Sequence, residues 1–411
     1  MNTRYCPADR SGRRGGRRSA SIAAVRDIPR LVWVLACGRF VNAAGSFLTI
    51  YLFLYLTGPR ELPIGQAGLL SGALGVGLFA GNFTGGWFGD RHGHRRILLI
   101  ASTIVGLTTL AIPWTPAVVL AVTMPLLGYA GATSGVSQGA LVALAVPTGD
   151  RRRAVAINRA AFNAGFVIGP PIGALLATDH FTTLFVVDGI VTLTVRTATA
   201  RLLADEPTPA ATPEKSARLW ASVVADRSLI LLLPAIVLVD IVYRQLYSTL
   251  PVYLREHGQP VGVYASLIAI GSGMILLLEV PVTMAMRRWP PLPIIAAGYC
   301  LVGLGMTLFG LGAAIGMIVA AMVLLTVGEI LYKTTATAYV LDQAPAGLVG
   351  RYQGLYTGAA TSGTMLAAPL GALLYGRAPE ALWPACAAIA IGAGAVVVIS
   401  GRVKGRVATD V

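Results

Sequence analysis

Long apolar runs decide what this chain can become. About twelve stretches are nearly free of charge, and about 20 apolar residues are what an α-helix needs to cross the hydrocarbon core of a bilayer. They cover residues 31–56, 66–88, 97–114, 117–146, 154–177, 181–203, 229–254, 261–286, 292–311, 314–341, 354–376 and 380–400. The apolar residues are continuous rather than alternating, which argues against barrel strands and for helices that satisfy their own backbone groups. Only 12% of the 411 residues are charged, where an ordinary soluble domain has about 25%. The expected fold class is an all-α membrane protein with twelve transmembrane helices in a lipid bilayer.

Formal net charge is +14, which taken alone would suit a nucleic acid. The distribution points away from one: arginine gathers in short clusters between the apolar runs, and no basic stripe is interleaved with aromatics. Basic links follow the second run (Arg91, Arg95, Arg96), the fourth (Arg151, Arg152, Arg153), the sixth (Lys215, Arg218, Arg227), the eighth (Arg287, Arg288) and the tenth (Arg351). The opposite links hold only Arg60, Arg255 and Arg377. This asymmetry predicts a multi-pass protein of the cell membrane with both termini cytoplasmic. Residues 1–30 are rich in arginine and glycine and read as a basic, disordered cytoplasmic arm, with no signal-peptide cleavage site after it. Cys6, Cys37, Cys300 and Cys386 are scattered without disulfide or metal spacing and read as small packing residues.

The longest polar stretch inside the chain, 204–228, carries Pro207, Pro209 and Pro213 and reads as a cytoplasmic linker. It separates a six-helix bundle over 31–203 from a second over 229–400, leaving 401–411 as a cytoplasmic tail. The two halves resemble each other. Pro147-Thr-Gly149-x-x-x-Arg153 returns as Pro345-Ala-Gly347-x-x-x-Arg351, and Pro171-Ile-Gly173-Ala174 as Pro369-Leu-Gly371-Ala372, both at an offset of 345 − 147 = 198 residues. Two matches in one register predict pseudo-symmetric bundles, an arrangement that places a substrate path between the halves.

The link after the second run reads Gly86-Trp-Phe-Gly89-Asp90-Arg91-His92-Gly93-His94-Arg95-Arg96. It resembles the loop signature G-x-x-x-D-R-x-G-R-[RK] of the major facilitator superfamily, matching at Gly86, Asp90, Arg91, Gly93 and Arg95, with His94 where the first of two basic residues is usual. Glycine permits close packing and positive φ, and Asp90 can cap a helix or accept an arginine. The resemblance implies a conformational latch that stabilises the outward-facing state. The fifth run contains Gly165-Phe-Val-Ile-Gly169-Pro170-Pro171-Ile-Gly173-Ala174, similar to the antiporter signature G-x-x-x-G-P-x-x-G-G with Ala174 at the last glycine. Small residues four apart let helices approach closely, and in the resembled family this pattern accompanies export. Together these features resemble the drug:proton antiporter-like, twelve-helix branch. One departure weakens proton coupling: the fourth run lacks the arginine that many such exporters carry.

Each charge in a span costs about 2.5–3.5 kcal/mol near the bilayer centre and so requires a reason. Arg39 and Asn42 share one face of span one; Asp240, Tyr243 and Arg244 lie on span seven, Glu279 on span eight, and Glu329 with Lys333 on span ten. In the resembled fold spans one, four, seven and ten line the cavity, which makes Arg39, Asn42, Gln138, Tyr243, Arg244 and Lys333 candidate cavity residues. Asp240, Glu279 and Glu329 are candidate proton carriers. Asp240 with Arg244 and Glu329 with Lys333 are spaced i, i+4, so each pair either neutralises itself structurally or is broken during transport. Glu279 has no opposite charge at helical spacing and meets Arg287 or Arg288 if it has a structural partner. Asp188 and Arg196 read as interfacial, and His92 and His94 as a solvated turn.

No nucleotide-binding loop or metal cluster is evident, and no cofactor is expected. The leading expectation is a transporter rather than an enzyme: a monomer that exports a hydrophobic or amphipathic small molecule, such as a drug or antibiotic, in exchange for protons. The alternative is proton-linked uptake of a metabolite such as a sugar or amino acid on the same fold. A non-transporting membrane enzyme or sensor is a remote third reading.

Overall fold

The structure, a computed structural model, describes residues 29–146, 151–177, 180–203, 227–286, 288–343 and 349–409. The expected arm up to residue 28 and the linker from 204 to 226 lie outside the described residues, as do Pro147–Gly149 and Pro345–Gly347 of the repeat. In chain order the helices are α1 (Arg30–Ala44), α2 (Leu48–Thr57), α3 (Ile64–His92), α4 (His94–Ala111), α5 (Ala117–Leu144), α6 (Arg151–Ala177) and α7 (Phe181–Leu202). They continue with α8 (Arg227–Tyr243), α9 (Thr249–Glu256), α10 (Val261–Met286), α11 (Pro291–Leu311), α12 (Ile315–Asp342), α13 (Val349–Arg377) and α14 (Pro379–Thr409). Pro29, Pro63, Pro116 and Pro290 stand immediately before α1, α3, α5 and α11, where a missing N–H costs nothing. The last helix runs beyond residue 400 to Thr409, into the expected tail.

Eleven units among the described residues are long and apolar enough to cross a membrane, with α1 and α2 counted as one. The remaining long helix, α13, spans 29 residues and carries glycine, serine and threonine along its first half. Helix packing follows the internal repeat. In the first half α1 packs on α6 and α7, α3 on α5, and α4 on α5 and α7. In the second half α8 packs on α13 and α14, α10 on α12, and α11 on α12 and α14. Between halves, α3 meets α13 and α6 meets α10. Each of these contacts within one half has its counterpart in the other, and the α3–α13 and α6–α10 contacts are counterparts of each other; α2 also meets α9 across the halves. The fold is two pseudo-symmetric six-span bundles.

Spans one and seven are expected as unbroken helices, yet both break. Span one stops at Ala44 and restarts at Leu48; span seven turns through a 3-10 segment, Arg244–Tyr247, before α9. Adding 198 to Phe47 gives 245, so the breaks are equivalent positions. A break in the membrane leaves backbone donors that must find partners. The freed N–H of Leu48 donates to Asp188 Oδ2 at 3.0 Å. At the second break Gln245 is buried; its Nε2 donates to Ile241 O and Ala367 O at 3.1 and 2.9 Å, and its Oε1 accepts from Ser248 and Thr249.

Among the described residues the halves share buried core at one end only. Ala43, Phe47, residues 50–56, Leu120, Met124 and Leu184 of the first half join the core of the second. At the end nearer the loop between α3 and α4, the first half closes a core of its own from Val32, Leu35, Leu98, Leu141, Val142 and Leu203. Tyr264 Oη of α10 donates to Ile50 O across the shared end at 3.2 Å.

Candidate functional site

A cavity of about 350 Å³ lies between the halves at the level of the two breaks. Arg39, Asn42, Ser46, Phe162, Arg244 and Ser248 are among its lining residues, together with apolar Leu52, Phe53, Leu74, Leu78 and Leu127. Of the six expected cavity residues, Arg39, Asn42 and Arg244 line this space. Gln138 lines an adjoining recess. Tyr243 and Lys333 do not line it: Tyr243 is buried and turned toward Glu329, and Lys333 is drawn to the same carboxylate. Helix geometry explains the difference, because Tyr243 and Arg244 are neighbours in sequence and face about 100° apart.

The recess, about 100 Å³, lies inside the first half among spans one, three, four and six. Arg39 stacks over the Phe162 ring at 4.4 Å and approaches Gln138 Oε1 at 3.5 Å. Gln138 Nε2 donates to Leu35 O, and Thr192 Oγ1 donates to Asn42 Oδ1 at 3.0 Å. Arg196 lines the recess with a buried Nε that has no hydrogen-bond partner. The expectation that Asp188 and Arg196 are interfacial is therefore corrected. Asp188 is 5% exposed and serves the span-one break, because α7 packs along α1 rather than lying at the bundle's edge. It has no basic partner among the described residues.

In the second half both expected pairs form. Lys333 Nζ donates to Glu329 Oε1 at 2.7 Å and Tyr243 Oη to Glu329 Oε2 at 2.6 Å. Arg244 Nε lies 3.5 Å from Asp240 Oδ2, which also accepts from Thr364 at 3.2 Å. Glu279 has a partner that helical spacing on its own span could not reveal. Arg159 of α6 reaches it across the halves at 2.5 Å, and Thr334 of α12 donates to the same carboxylate oxygen at 2.7 Å. Arg159 therefore takes the place expected for Arg288, while Arg287 lies outside the described residues.

The two motif segments differ in what they touch. A Cβ on Gly165 would lie 2.6 Å from Phe40 O, on Gly169 2.6 Å from Ala44 O, and on Gly173 2.6 Å from the Tyr51 ring. These glycines therefore let α6 close on the break of span one. Tyr51 Oη donates to Pro170 O at 2.6 Å on the same seam. In the loop, Gly93 has φ +87° and its N–H donates to Gly89 O, whereas a Cβ on Gly86 would have ordinary room, 3.8 Å from Val136. Arg91 lies over Trp87, Arg95 donates to Ala200 O at the end of α7, and Arg96 is exposed. Asp90 is 65% exposed and accepts from His94 Nε2 at 3.1 Å. His94 is buried rather than solvated, because it packs beneath the turn against Gly89.

Two six-span bundles related by an internal repeat, with a cavity between them at paired helix breaks, define a secondary transporter. The sequence profile of the Major Facilitator Superfamily matches residues 35–368, and the chain belongs to that superfamily. An uncharacterized MFS-type transporter of Bacillus subtilis, YqjV, is 25% identical over 80% of this chain and 82% of its own length. A Na(+), Li(+), K(+)/H(+) antiporter of Planococcus maritimus is 25% identical over 84% of this chain and 89% of its own. The 3-(3-hydroxy-phenyl)propionate transporter of Escherichia coli is 29% identical over 76% and 83%. A POT family transporter solved with 5-aminolevulinic acid superposes with a TM-score of 0.78 at 14% identity, covering 90% of this chain and 96% of that one. The protein is a multi-pass membrane transporter of this superfamily.

Proposed function

We propose that the protein exports an amphipathic or hydrophobic small molecule across the cell membrane in exchange for protons. The observation that carries this reading is the cavity of about 350 Å³, largely apolar in its walls, between halves that share a core at one end. With the arginine-rich links in the cytoplasm, the shared core is on the outer side and the cavity belongs to an inward-facing state. Alternating access then exchanges which end is closed, with the breaks in spans one and seven as hinges. Export as the direction rests on α6, whose glycines seat on the first hinge and whose signature is antiporter-like; the Planococcus maritimus relative is also named an antiporter. Asp240, Glu279 and Glu329 are the carboxylates whose ion pairs cargo or opening would break. One proton crossing 100 mV supplies about 2.3 kcal/mol.

Accumulation of a substrate panel in a pump-deficient bacterium tests the proposal. Expression should lower accumulation, and a protonophore should restore it. Accumulation that rises with expression and falls with the protonophore would replace export by proton-linked uptake.

A further inference from the structure

We infer that the cargo is an amphipathic organic acid whose carboxylate seats in the recess between Arg39 and Arg196; this rests on the transport reading above and narrows its substrate class. Two guanidinium groups line one small recess within the membrane-spanning part of the first half, and among the described residues no acidic side chain lines it. Elsewhere in the spans the cations that face carboxylates are neutralised: Arg244 by Asp240, Lys333 by Glu329, and Arg159 by Glu279. Asp188, the acid of the first half, is occupied by the Leu48 N–H at the span-one break and does not line the recess. Arg196 makes no hydrogen bond or ion pair with any described residue, and its Nε is buried. A buried donor of that kind is complete only when an acceptor arrives.

The recess is shaped for an acceptor group. Cβ atoms on Gly131 and Gly135 of α5 would meet nothing within 4 Å, so the absence of side chains there leaves room for a ligand. Ser134 and Thr199 add hydroxyl groups around it, while the Ser102 hydroxyl donates back to Leu98 O of its own helix. Arg39, Asn42, Val105 and Gly131 line both the recess and the central cavity, so the two spaces adjoin. About 100 Å³ accommodates a carboxylate with its first carbons, and the apolar cavity of about 350 Å³ accommodates a hydrocarbon or aromatic body. Guanidinium is the side chain best matched to a carboxylate, through paired N–H donors.

Calorimetric titration of the purified full-length protein in detergent, with 4-phenylbutyrate and its neutral counterpart 4-phenylbutyramide, tests the inference. The acid should bind at least about tenfold more tightly than the amide. In Arg196→Gln and Arg39→Gln the preference should fall below about threefold while amide affinity holds, and Arg196→Lys should keep part of it. Equal affinities, no binding of either probe by monodisperse protein, or a preference that survives Arg196→Gln would overturn the inference. So would displacement of the acid by inorganic phosphate at equal concentration, which would make the recess a site for small anions generally. Efflux of a neutral or cationic compound by a protein that fails these titrations would remove the organic-acid inference and leave the export reading standing.

Discussion

Replacing Arg159 and Glu279 by glutamine, singly and together, tests whether the ion pair between the halves sets the balance of the transport cycle. Guanidinium and carboxylate meet at 2.5 Å, and Thr334 adds a hydrogen bond of 2.7 Å to the same oxygen. A hydrogen bond to a charged group contributes about 1.5–3 kcal/mol, and an exposed ion pair about 0–1. Arg159 is 47% exposed and Glu279 14%, which places the pair near the boundary, at about 1.5 kcal/mol or roughly tenfold in an equilibrium. The pair exists only while α6 and α10 lie together at that level, so losing it favours the state in which they part there. Spin labels at Ala156 and Met284, exposed on these two helices, would report the two populations by dipolar spectroscopy in lipid nanodiscs, in a background without native cysteines. Each single variant should raise the separated population about tenfold, and the double variant should go no further than either single. Additive effects in the double variant would show that the residues do not act through each other, and the bridge would lose its role in the cycle.

Removing the acceptor at the span-one break should be costly: Asp188→Ala is expected to lose about 1–3 kcal/mol by leaving the Leu48 N–H unpaired, while Asp188→Asn keeps an acceptor and loses less. Thermal unfolding in detergent measures both, and equal losses would argue against the cap. Gly169→Ala places a Cβ 2.6 Å from Ala44 O and should destabilise by about 1–3 kcal/mol and slow transport, whereas Gly86→Ala has room and should be near neutral. The reverse order in unfolding and transport assays would refute the packing argument. Asp90→Asn should impair transport without removing the protein from the membrane, since it weakens the contact with His94 at the loop; unchanged efflux with normal membrane abundance would end the latch reading.

Span number and boundaries were legible because hydropathy is a local property: α10 begins and ends where its apolar run does, and α4, α5 and α11 lie within a few residues of theirs. The breaks were not. Leucine, phenylalanine and tyrosine continue through 48–56, so composition alone says helix. Asp188, 140 residues downstream, supplies the acceptor that makes the interruption tolerable. The same limit hid the Arg159–Glu279 bridge. Spacing along one helix finds Lys333 beneath Glu329 and Arg244 beneath Asp240, but a partner on another helix is a fact of tertiary packing. Asp188 and Arg196 were misread for a related reason, since placing a span at the periphery overlooks the face that α7 turns toward α1.

The 198-residue offset carries more than the motifs that disclosed it. It pairs Phe47 with Gln245 and Gly173 with Gly371, and in each half the glycine sits against the residue at the break. It also pairs Asn42 with Asp240, and there the halves diverge. In the second half the acid has Arg244 one turn on and the pair is self-neutralising. In the first half the corresponding residue is neutral: Asn42 accepts from Thr192, and Arg39 has only a ring face and a distant amide for company. One duplicated hinge thus supports two electrostatic outcomes, a balanced half and a half with uncompensated positive charge at the cavity. On the organic-acid inference that imbalance decides the cargo's charge, because a cationic one would face Arg39 and Arg196 with no acidic side chain among the described residues lining the recess.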